Sequence, residues 1–549
     1  MRSEALSSQS LNSSKSSRQP QKTSLQNRKV LHGRIPQDRR HQAKRRYFGA
    51  VLAGLTMMPI AGCNSTNYDG VPELRAKVQD SLGPKPPVFQ AANKTGPTLK
   101  GPTLGSSGLS GSSGISGSGL TGSSGLTLSS GITVGGLAVN SDLGVKAAAE
   151  PVKRDSDDPK AVTRLMQAGF ALTKNDAEDV VGVSIDRREE GGDSSELINL
   201  LGSLPKLASA KLSGSGIKDG GFEALENLEQ LRQLNLEGAG ISDEALVSVG
   251  KISSLEILSL RLTSVTDGGL SEVAKAKKLR ALDLRNSNIT DDGMGAIGRM
   301  KNLVDLQLER AKITTEGLKE IRGLKKLRSL NLNTIGIMDD GLEVLADIKS
   351  LEQIQLDNAY ITDDGMKFLA SLPNLKRLRI RYCDITGVGM KEFAGSKSLT
   401  RLELRDTSVD DDAIDAILSM PNLTFLELNE CRLVSSEGLA RLGGVLGLKE
   451  LHLWETKLDD EALEGLSELR NLENLNLEAT NISTTSAKIL AELPNLKRLN
   501  VAGTRLDDKA ASILKTLPSL QWINVANSSM TYQGVDELLE SSDGLEVVE

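Results

Sequence analysis

Histidine, cysteine and aromatic side chains are nearly missing from this chain: 549 residues hold 3 His and 3 Cys, and aromatics make up 3%. Two of the histidines, His32 and His41, lie in a basic lead, so His452 is the one histidine of the remaining chain. A single histidine cannot build a multi-histidine metal site, and it leaves most nucleophile–base pairs without a base. No phosphate-cradling loop and no dinucleotide fingerprint after a strand is present. Glu403 and Glu427 are placed to face each other on neighbouring strands as an acid/base pair. Charged residues are ordinary on such a surface, so the chain reads as a non-enzyme without a cofactor. Long apolar runs are also scarce. The one from Tyr47 to Gly62 spans 16 residues, short of the roughly 18 to 20 that a membrane-spanning helix needs. Positive charge is confined as well. From Met1 to Phe48 the chain holds 12 Lys or Arg against Glu4 and Asp38 and carries +10, so the remainder carries −16 of the total −6. An acidic body excludes the phosphate-neutralising surface on which nonspecific nucleic-acid binding depends.

Leucine, by contrast, recurs with a fixed period. From Leu207 it returns every 24 residues as Leu231, Leu255, Leu279, Leu303, Leu327, Leu351, Leu375, Leu399 and Leu423. After one inserted residue the count resumes at Leu448, Leu472, Leu496 and Leu520. Each opens an apolar-x-x-apolar-x-apolar triplet, of which Leu279, Leu282 and Leu284 are a clean copy. A unit of this length supplies one strand and one short helix and cannot bury its apolar face alone, so neighbours must stack. The expected fold is α/β: a right-handed leucine-rich-repeat solenoid, a horseshoe with parallel strands on the concave face and short helices on the convex face.

Three residues past the triplet stands a small residue: Ser215, Ala239, Thr263, Ser287, Ala311, Ala359, Cys383, Thr407, Cys431, Thr456, Thr480, Thr504 and Ser528, with Ile335 the exception. Its place in the period predicts an interior position. Cys383 and Cys431 fall there two repeats apart, near 10 Å at a strand spacing of about 4.8 Å, too far for a disulfide. They are expected as free buried thiols. The following turn reads Ile289-Thr-Asp-Asp-Gly-Met294 and Ile361-Thr-Asp-Asp-Gly-Met366. These residues resemble the cysteine-containing subfamily of leucine-rich repeats, over about residues 175 to 549. That subfamily includes substrate-recognition halves of F-box proteins, but nothing here resembles an F-box, so ubiquitin-ligase function is not carried over. One turn position is acidic in nine copies: Asp219, Asp243, Asp267, Asp291, Asp339, Asp363, Asp411, Asp460 and Asp508. Carboxylates at a helix start cap free backbone N–H groups, which accounts for them more simply than a calcium ladder. Two residues on comes Gly, Ala or Ser (Gly269, Gly293, Gly317, Gly341, Gly365, Ala413, Ala462, Ser486), read as close helix-to-strand approach. Pro373, Pro421, Pro494 and Pro518 mark helix exits.

Ahead of the repeats, Lys44-Arg45-Arg46 precedes the 16-residue apolar stretch, and Ile60-Ala61-Gly62-Cys63 follows at its end. The order is that of an export signal. The tetrad resembles the lipobox of bacterial lipoproteins, and the resemblance implies a lipid on Cys63 after cleavage. Arg45-Arg46-Tyr47-Phe48 also resembles a weak twin-arginine signal, and a translation start near Val30 or Leu31 would shorten the long lead. Gly96 to Gly136 is a Gly/Ser tract with near-copies such as Gly105-Ser-Ser-Gly-Leu109, a flexible tether by composition. Asp158-Pro159 then opens a helix-period stretch with Val162, Leu165 and Met166, followed by Val180, Val183 and Ile185 as a first strand. The expected organisation is therefore 1–62 basic lead and lipoprotein-type signal, 63–154 disordered tether, 155–206 N-terminal cap and first strand, and 207–549 solenoid, with Leu545 to Val548 a last partial strand.

Strand alternation assigns side chains to the concave face. Arg377, Arg379 and Arg381 come from one repeat and Arg401 and Arg405 from the next, so Arg377 should lie beside Arg401 and Arg381 beside Arg405. Like charges directly opposite destabilise a sheet, so either an anionic partner or Glu403, Asp406 and Glu427 must neutralise them. Arg261, Arg285 and Arg310 extend positive charge toward the N-terminus. Tyr382, Phe425, Trp454 and Trp522 map to the same face as contact aromatics, with Glu450, His452 and Glu455 forming an acidic patch beside Trp454. The sequence thus reads as an exported, lipid-anchored envelope protein that binds another macromolecule through its concave face. A protein is the first partner class, an anionic polysaccharide in a structural or adhesive role the second, and an enzyme to be inhibited the third.

Overall fold

The computed structural model describes residues 156–187, 192–540 and 544–549. The basic lead, Cys63 and the Gly/Ser tract lie outside the described residues. Unlike the apolar-triplet strands, the first described strand, Ala171–Lys174, runs antiparallel to Val180–Asp186 and was not foreseen from the sequence. From Val180–Asp186 onward the strands are parallel and follow chain order, through Ser209–Ser213 and Gln233–Asn235 to Trp522–Asn524 and Glu546–Val548. Register advances by one repeat at each step: Arg377 stands against Gln353 on one side and Arg401 on the other. The extra residue lies in the loop after Cys431. Phe425 accordingly pairs with Glu450, one position beyond the regular period, and Leu433 in that loop is exposed.

A short helix follows most strands, as in Asp291–Gly298 and Asp363–Ala370. The triplet leucines fill the space between the layers. Leu279, Leu282 and Leu284 are all about 1% exposed or less, and one continuous apolar core runs from Leu165 to Val547. Packed helices need 8–10 Å between axes while strands stack at about 4.8 Å, so the array curves with the strands inside. At the N-terminal end Asp158 caps the helix Pro159–Gln167 by accepting from Lys160 N, and Leu165 beneath it is fully buried.

The small position is interior in twelve of its fourteen copies. Thr263, Thr407, Thr456, Thr480 and Thr504 each donate to the carbonyl three residues back, and Cys431 Sγ donates to Leu404 O at 3.0 Å. Ser215 is exposed and Ser528 half-buried, because both lie in end repeats. Cys383 and Cys431 are free and buried; burial pushes their thiols up to about 12 and about 11.

The turn aspartates act differently from expectation. All but Asp219 stand at the first residue of their helix, and in six of those eight the preceding Thr, Ser or Asp side chain caps it, as Thr290 accepts from Asp292 N. The carboxylate reaches instead to the next repeat. Asp267 accepts from Thr290 N at 2.9 Å and Thr290 Oγ1 at 2.6 Å, and Asp291 does the same to Thr314. All nine aspartates make this two-pronged clamp, from Asp219 on Ser242 to Asp508 on Thr531. The glycine two residues past the acid position likewise answers to the previous repeat's clamp and not to a strand. A Cβ at Gly269 would stand 2.6 Å from Asp243 Oδ1, and at Gly293, Gly317 and Gly365 it would overlap Asp267, Asp291 and Asp339. Where the acid is replaced by Gly387, Ser436 or Thr484, the next repeat carries Ala413, Ala462 or Ala510 at the glycine position and Asp410, Asp459 or Asp507 as its cap. The bond then runs the other way: Ser436 and Thr484 hydroxyls donate to Asp459 and Asp507, each at 2.6 Å. Two repeats depart from this pattern. After Thr315 the glycine persists as Gly341, and the Thr315 hydroxyl donates to Asp340 at 2.9 Å. After Asp219 stands Ala245, and Asp219 precedes the 3-10 turn Phe222–Leu225 instead of an α-helix.

Candidate concave binding face

Three side chains per repeat face the concavity, and a fourth sits at a left-handed turn on its rim. That turn recurs at Leu262, Arg310, Thr334, Tyr382, Glu430 and Glu455, with φ between +54° and +61°. In several repeats an Asn or Asp at the middle concave position builds the turn by accepting from the N–H two residues on: Asn235, Asp283, Asn331, Asn476, Asn500 and Asn524. Five consecutive repeats lack it. There the middle position holds Gln355, Arg379, Glu403, Glu427 and His452, and in part the preceding repeat substitutes: Asp357 accepts from Arg381 N and Asn429 from Trp454 N. These five positions are thereby released from closing the turn.

They carry the charged network anticipated from the sequence, with Arg377 against Arg401 as the period required. Acids interleave with the arginines. Arg379 pairs with Asp357; Arg381 bridges Glu403 at 2.5 Å and Glu427 at 2.9 Å; Arg401 pairs with Glu403 at 2.5 Å; Arg405 pairs with Glu430 at 2.7 Å. Asp357, Glu403, Glu427 and Glu430 are all less than 9% exposed. Asp406, expected among the neutralisers, is exposed and makes no ion pair among the described residues, whereas Asp357 and Glu430 were missed. Burial raises the Asp357 and Glu427 carboxyls above their ordinary range. Burial would raise Glu403 as well, but Arg401 and Arg381 outweigh it and hold Glu403 low. Arg377 is exposed and has no ion pair among the described residues. The N-terminal extension of positive charge is cancelled in part: Arg261 pairs with Glu237 at 2.7 Å and Arg285 clasps Asp283 through two hydrogen bonds, while exposed Arg310 reaches only Asn286 Oδ1, at 3.4 Å.

The aromatics are sheathed by this network. Arg401 lies 3.3 Å above the Phe425 ring, whose centroid is 5.1 Å from that of His452. Arg405 lies between Tyr382 at 5.6 Å and Trp454 at 4.5 Å, and Arg498 covers Trp522 at 4.4 Å. Phe425 is thus buried, not an exposed anchor; Trp454 and Trp522 are half-buried and Tyr382 is 37% exposed. The acidic patch divides: Glu450 stands 3.8 Å from His452, while Glu455 pairs with Arg432. Glu403 and Glu427 are neighbours in register, but both are committed to arginines. No group of three or more metal-ligating side chains that could hold an ion occurs among the described residues, and both oxygens of each clamp aspartate already accept hydrogen bonds. No helix among the described residues is long and apolar enough to cross a membrane.

Residues 207–437 match a family described as a leucine-rich repeat region. The fold is a leucine-rich-repeat solenoid. Among solved structures the leucine-rich-repeat chain is similar to an internalin from Listeria monocytogenes, at 22% identity and TM-score 0.45 over 62% of this chain and 93% of that one. It is also similar to a leucine-rich-repeat protein of Leptospira interrogans, at 20% identity and TM-score 0.47 over 64% and 92%. A plant peptide hormone receptor in complex with its peptide matches at 15% identity and TM-score 0.27 over 64% and 75%. No curated protein matches the chain.

Proposed function

We propose that this leucine-rich-repeat protein is an exported, lipid-anchored binding protein whose concave face, from Gln353 to Trp454, recognises another protein at the cell envelope. The observation that carries the reading is the concentration, in five consecutive repeats, of arginine, carboxylate and aromatic side chains where neighbouring repeats place a turn-building Asn or Asp. Stacked arginine–aromatic pairs in a desolvated surface are the composition of protein-recognition hot spots. An anionic polysaccharide fits less well, since it would compete with four carboxylates for the same guanidinium groups. Anchoring rests on the lipobox-like Ile60-Ala61-Gly62-Cys63.

Two experiments test this. Cys63→Ala in the full chain is expected to move the protein from the membrane to the soluble fraction; retention in the membrane rejects the lipid anchor. Chemical crosslinking to native envelope should recover one partner with wild type and lose it with Trp454→Ala. Equal recovery by both moves the site off this face.

A further inference from the structure

The acidic net charge of the repeats conceals a basic edge. Where each helix hands over to the next strand, residues 274–280, 298–304 and 322–328 of three consecutive repeats hold ten Lys or Arg and no Asp or Glu. Backbone bonds stack these loops directly: Val304 N donates to Arg280 O at 2.7 Å and Arg328 N to Val304 O at 2.8 Å. Lys275, Arg280, Arg322 and Arg328 meet Glu272, Glu256, Asp347 and Glu352 at the margins. The other six, Lys277, Lys278, Arg299, Lys301, Lys325 and Lys326, are exposed and make no ion pair among the described residues. Lys277, Lys301 and Lys325 occupy one position of successive repeats.

Helix ends attract cations, and Lys277 Nζ and Arg299 Nη1 each donate to a carbonyl of the preceding turn, at 2.9 and 3.2 Å. That dipole is common to the repeats, yet residues 370–376, 394–400 and 418–424 hold only Lys376 and Lys397. Two of the lysines also displace residues that the fold uses. At the position of Lys278 and Lys326, eight repeats carry an Asn or Ser that donates to a carbonyl of the preceding loop, as Asn302 does to Lys277 O at 2.8 Å. Lys326 donates instead to the Asn302 side chain. Like charges gathered in this way repel and cost stability, which a neutralising partner would relieve.

Lysine is a compact, hydrated point charge that suits a diffuse anionic surface, whereas arginine clasps single phosphates or carboxylates through paired bonds. Five of the six cations without an ion pair are lysine. No aromatic residue lies in the three loops to stack a base or a sugar ring. We propose that this edge, centred on Lys277, Lys301 and Lys325, rests on the anionic phospholipid head groups of the membrane that the Cys63 lipid enters. The inference rests on the lipid-anchor reading, which supplies the membrane, and adds how the repeats meet it. None of these side chains belongs to the concave charged network, so the edge and the protein-binding face are separate surfaces.

The test places a fluorescent residue in the full chain at exposed Gly323, inside the patch, or at exposed Tyr360, on the turns that follow the strands. Vesicles whose head groups carry a quencher are then added. Phosphatidylcholine with about one-third phosphatidylglycerol should quench position 323 at least about fivefold more than position 360. Phosphatidylcholine alone should not, and about 500 mM NaCl should abolish the difference. The combined variant K277Q, K278Q, K301Q, K325Q and K326Q should lose it. A variant of equal net charge, K160Q, K218Q, K457Q, K488Q and K509Q, should keep it, and melting temperatures show whether each is folded. The basic lead is common to all these proteins and cannot favour one position over the other. Equal quenching at both positions, none at 323, or quenching that survives the edge variant overturns the inference. A response at 323 to soluble polygalacturonate and not to vesicles also overturns it, by putting an acidic glycan on the edge. The Cys63→Ala fractionation is scored separately. No quenching at 323 beside a shift of Cys63→Ala to the soluble fraction leaves the anchor standing; quenching at 323 beside retention of Cys63→Ala in the membrane rejects the anchor and keeps the edge.

Discussion

Replacing Gly293 by Ala should be harmful in the wild type and nearly harmless once Asp267 is gone. Asp267→Ala removes the acceptor for Thr290 N and Oγ1. A net hydrogen bond contributes about 1 kcal/mol and more when an ion accepts it, but both partners are partly exposed and water can replace the carboxylate, so a loss of about 1–2 kcal/mol is expected. Gly293→Ala alone gains about 1 kcal/mol of helix propensity. It also drives a Cβ into Asp267 Oδ1 and to 3.1 Å from Leu270 Cδ1, overpacking that costs about 1–3 kcal/mol. In the double variant the carboxylate is absent and the propensity gain remains, so the double should be no less stable than Asp267→Ala. The expected coupling is about 2 kcal/mol, within the range that side chains in contact show. Urea denaturation of the four proteins, followed by circular dichroism with m-values compared, measures it. Energies that add within about 0.5 kcal/mol would refute the steric coupling between neighbouring repeats.

Further outcomes follow from the same contacts. Arg381→Ala leaves Glu403 and Glu427 short of a partner and should cost about 2–4 kcal/mol, whereas exposed Arg377→Ala should stay within about 0.5 kcal/mol; thermal melts compare them. Burial would raise the Asp411 and Asp460 carboxyls, but hydrogen bonds from Ser435 and Ser483 outweigh it and hold both below the ordinary value. Their contribution is therefore full above the unfolded carboxylate range and lost as pH falls through the lower folded values, so Asp411→Asn with Asp460→Asn should flatten the acid limb of a stability–pH curve. Asp357 and Glu427, raised by burial, act with opposite sign, their contribution declining as pH rises through the raised values. Thiols with values of about 12 and about 11 should react with a disulfide reagent only on unfolding, and fast native labelling of Cys383 or Cys431 would contradict their burial.

The leucine period alone yields the stack, the strand register and the pairing of Arg377 with Arg401, because a parallel array with one register has no other way to align identical triplets. It also placed the small residues inside. It did not show that Asp267 serves Thr290, since a helix-start acid satisfies its own turn as readily on paper. The signal was nonetheless present: Gly387, Ser436 and Thr484 are answered in the next repeat by Ala413, Ala462 and Ala510, at the position where most acid-bearing repeats are followed by Gly or Ser. Nor could spacing say which acids would neutralise the arginines. Asp406 and Glu430 occupy the same left-handed rim position one repeat apart, and only side-chain direction separates the exposed Asp406 from the buried Glu430 that holds Arg405.

The most direct measurement on the central claim is site-specific photocrosslinking in native envelope, with the photoreactive residue placed in the full chain at Arg377 on the concave face or at exposed Glu343 on the helix side. The account predicts one protein captured from position 377 and none from position 343. Capture from 343 alone, or the same bands from both, would contradict recognition through the concave face.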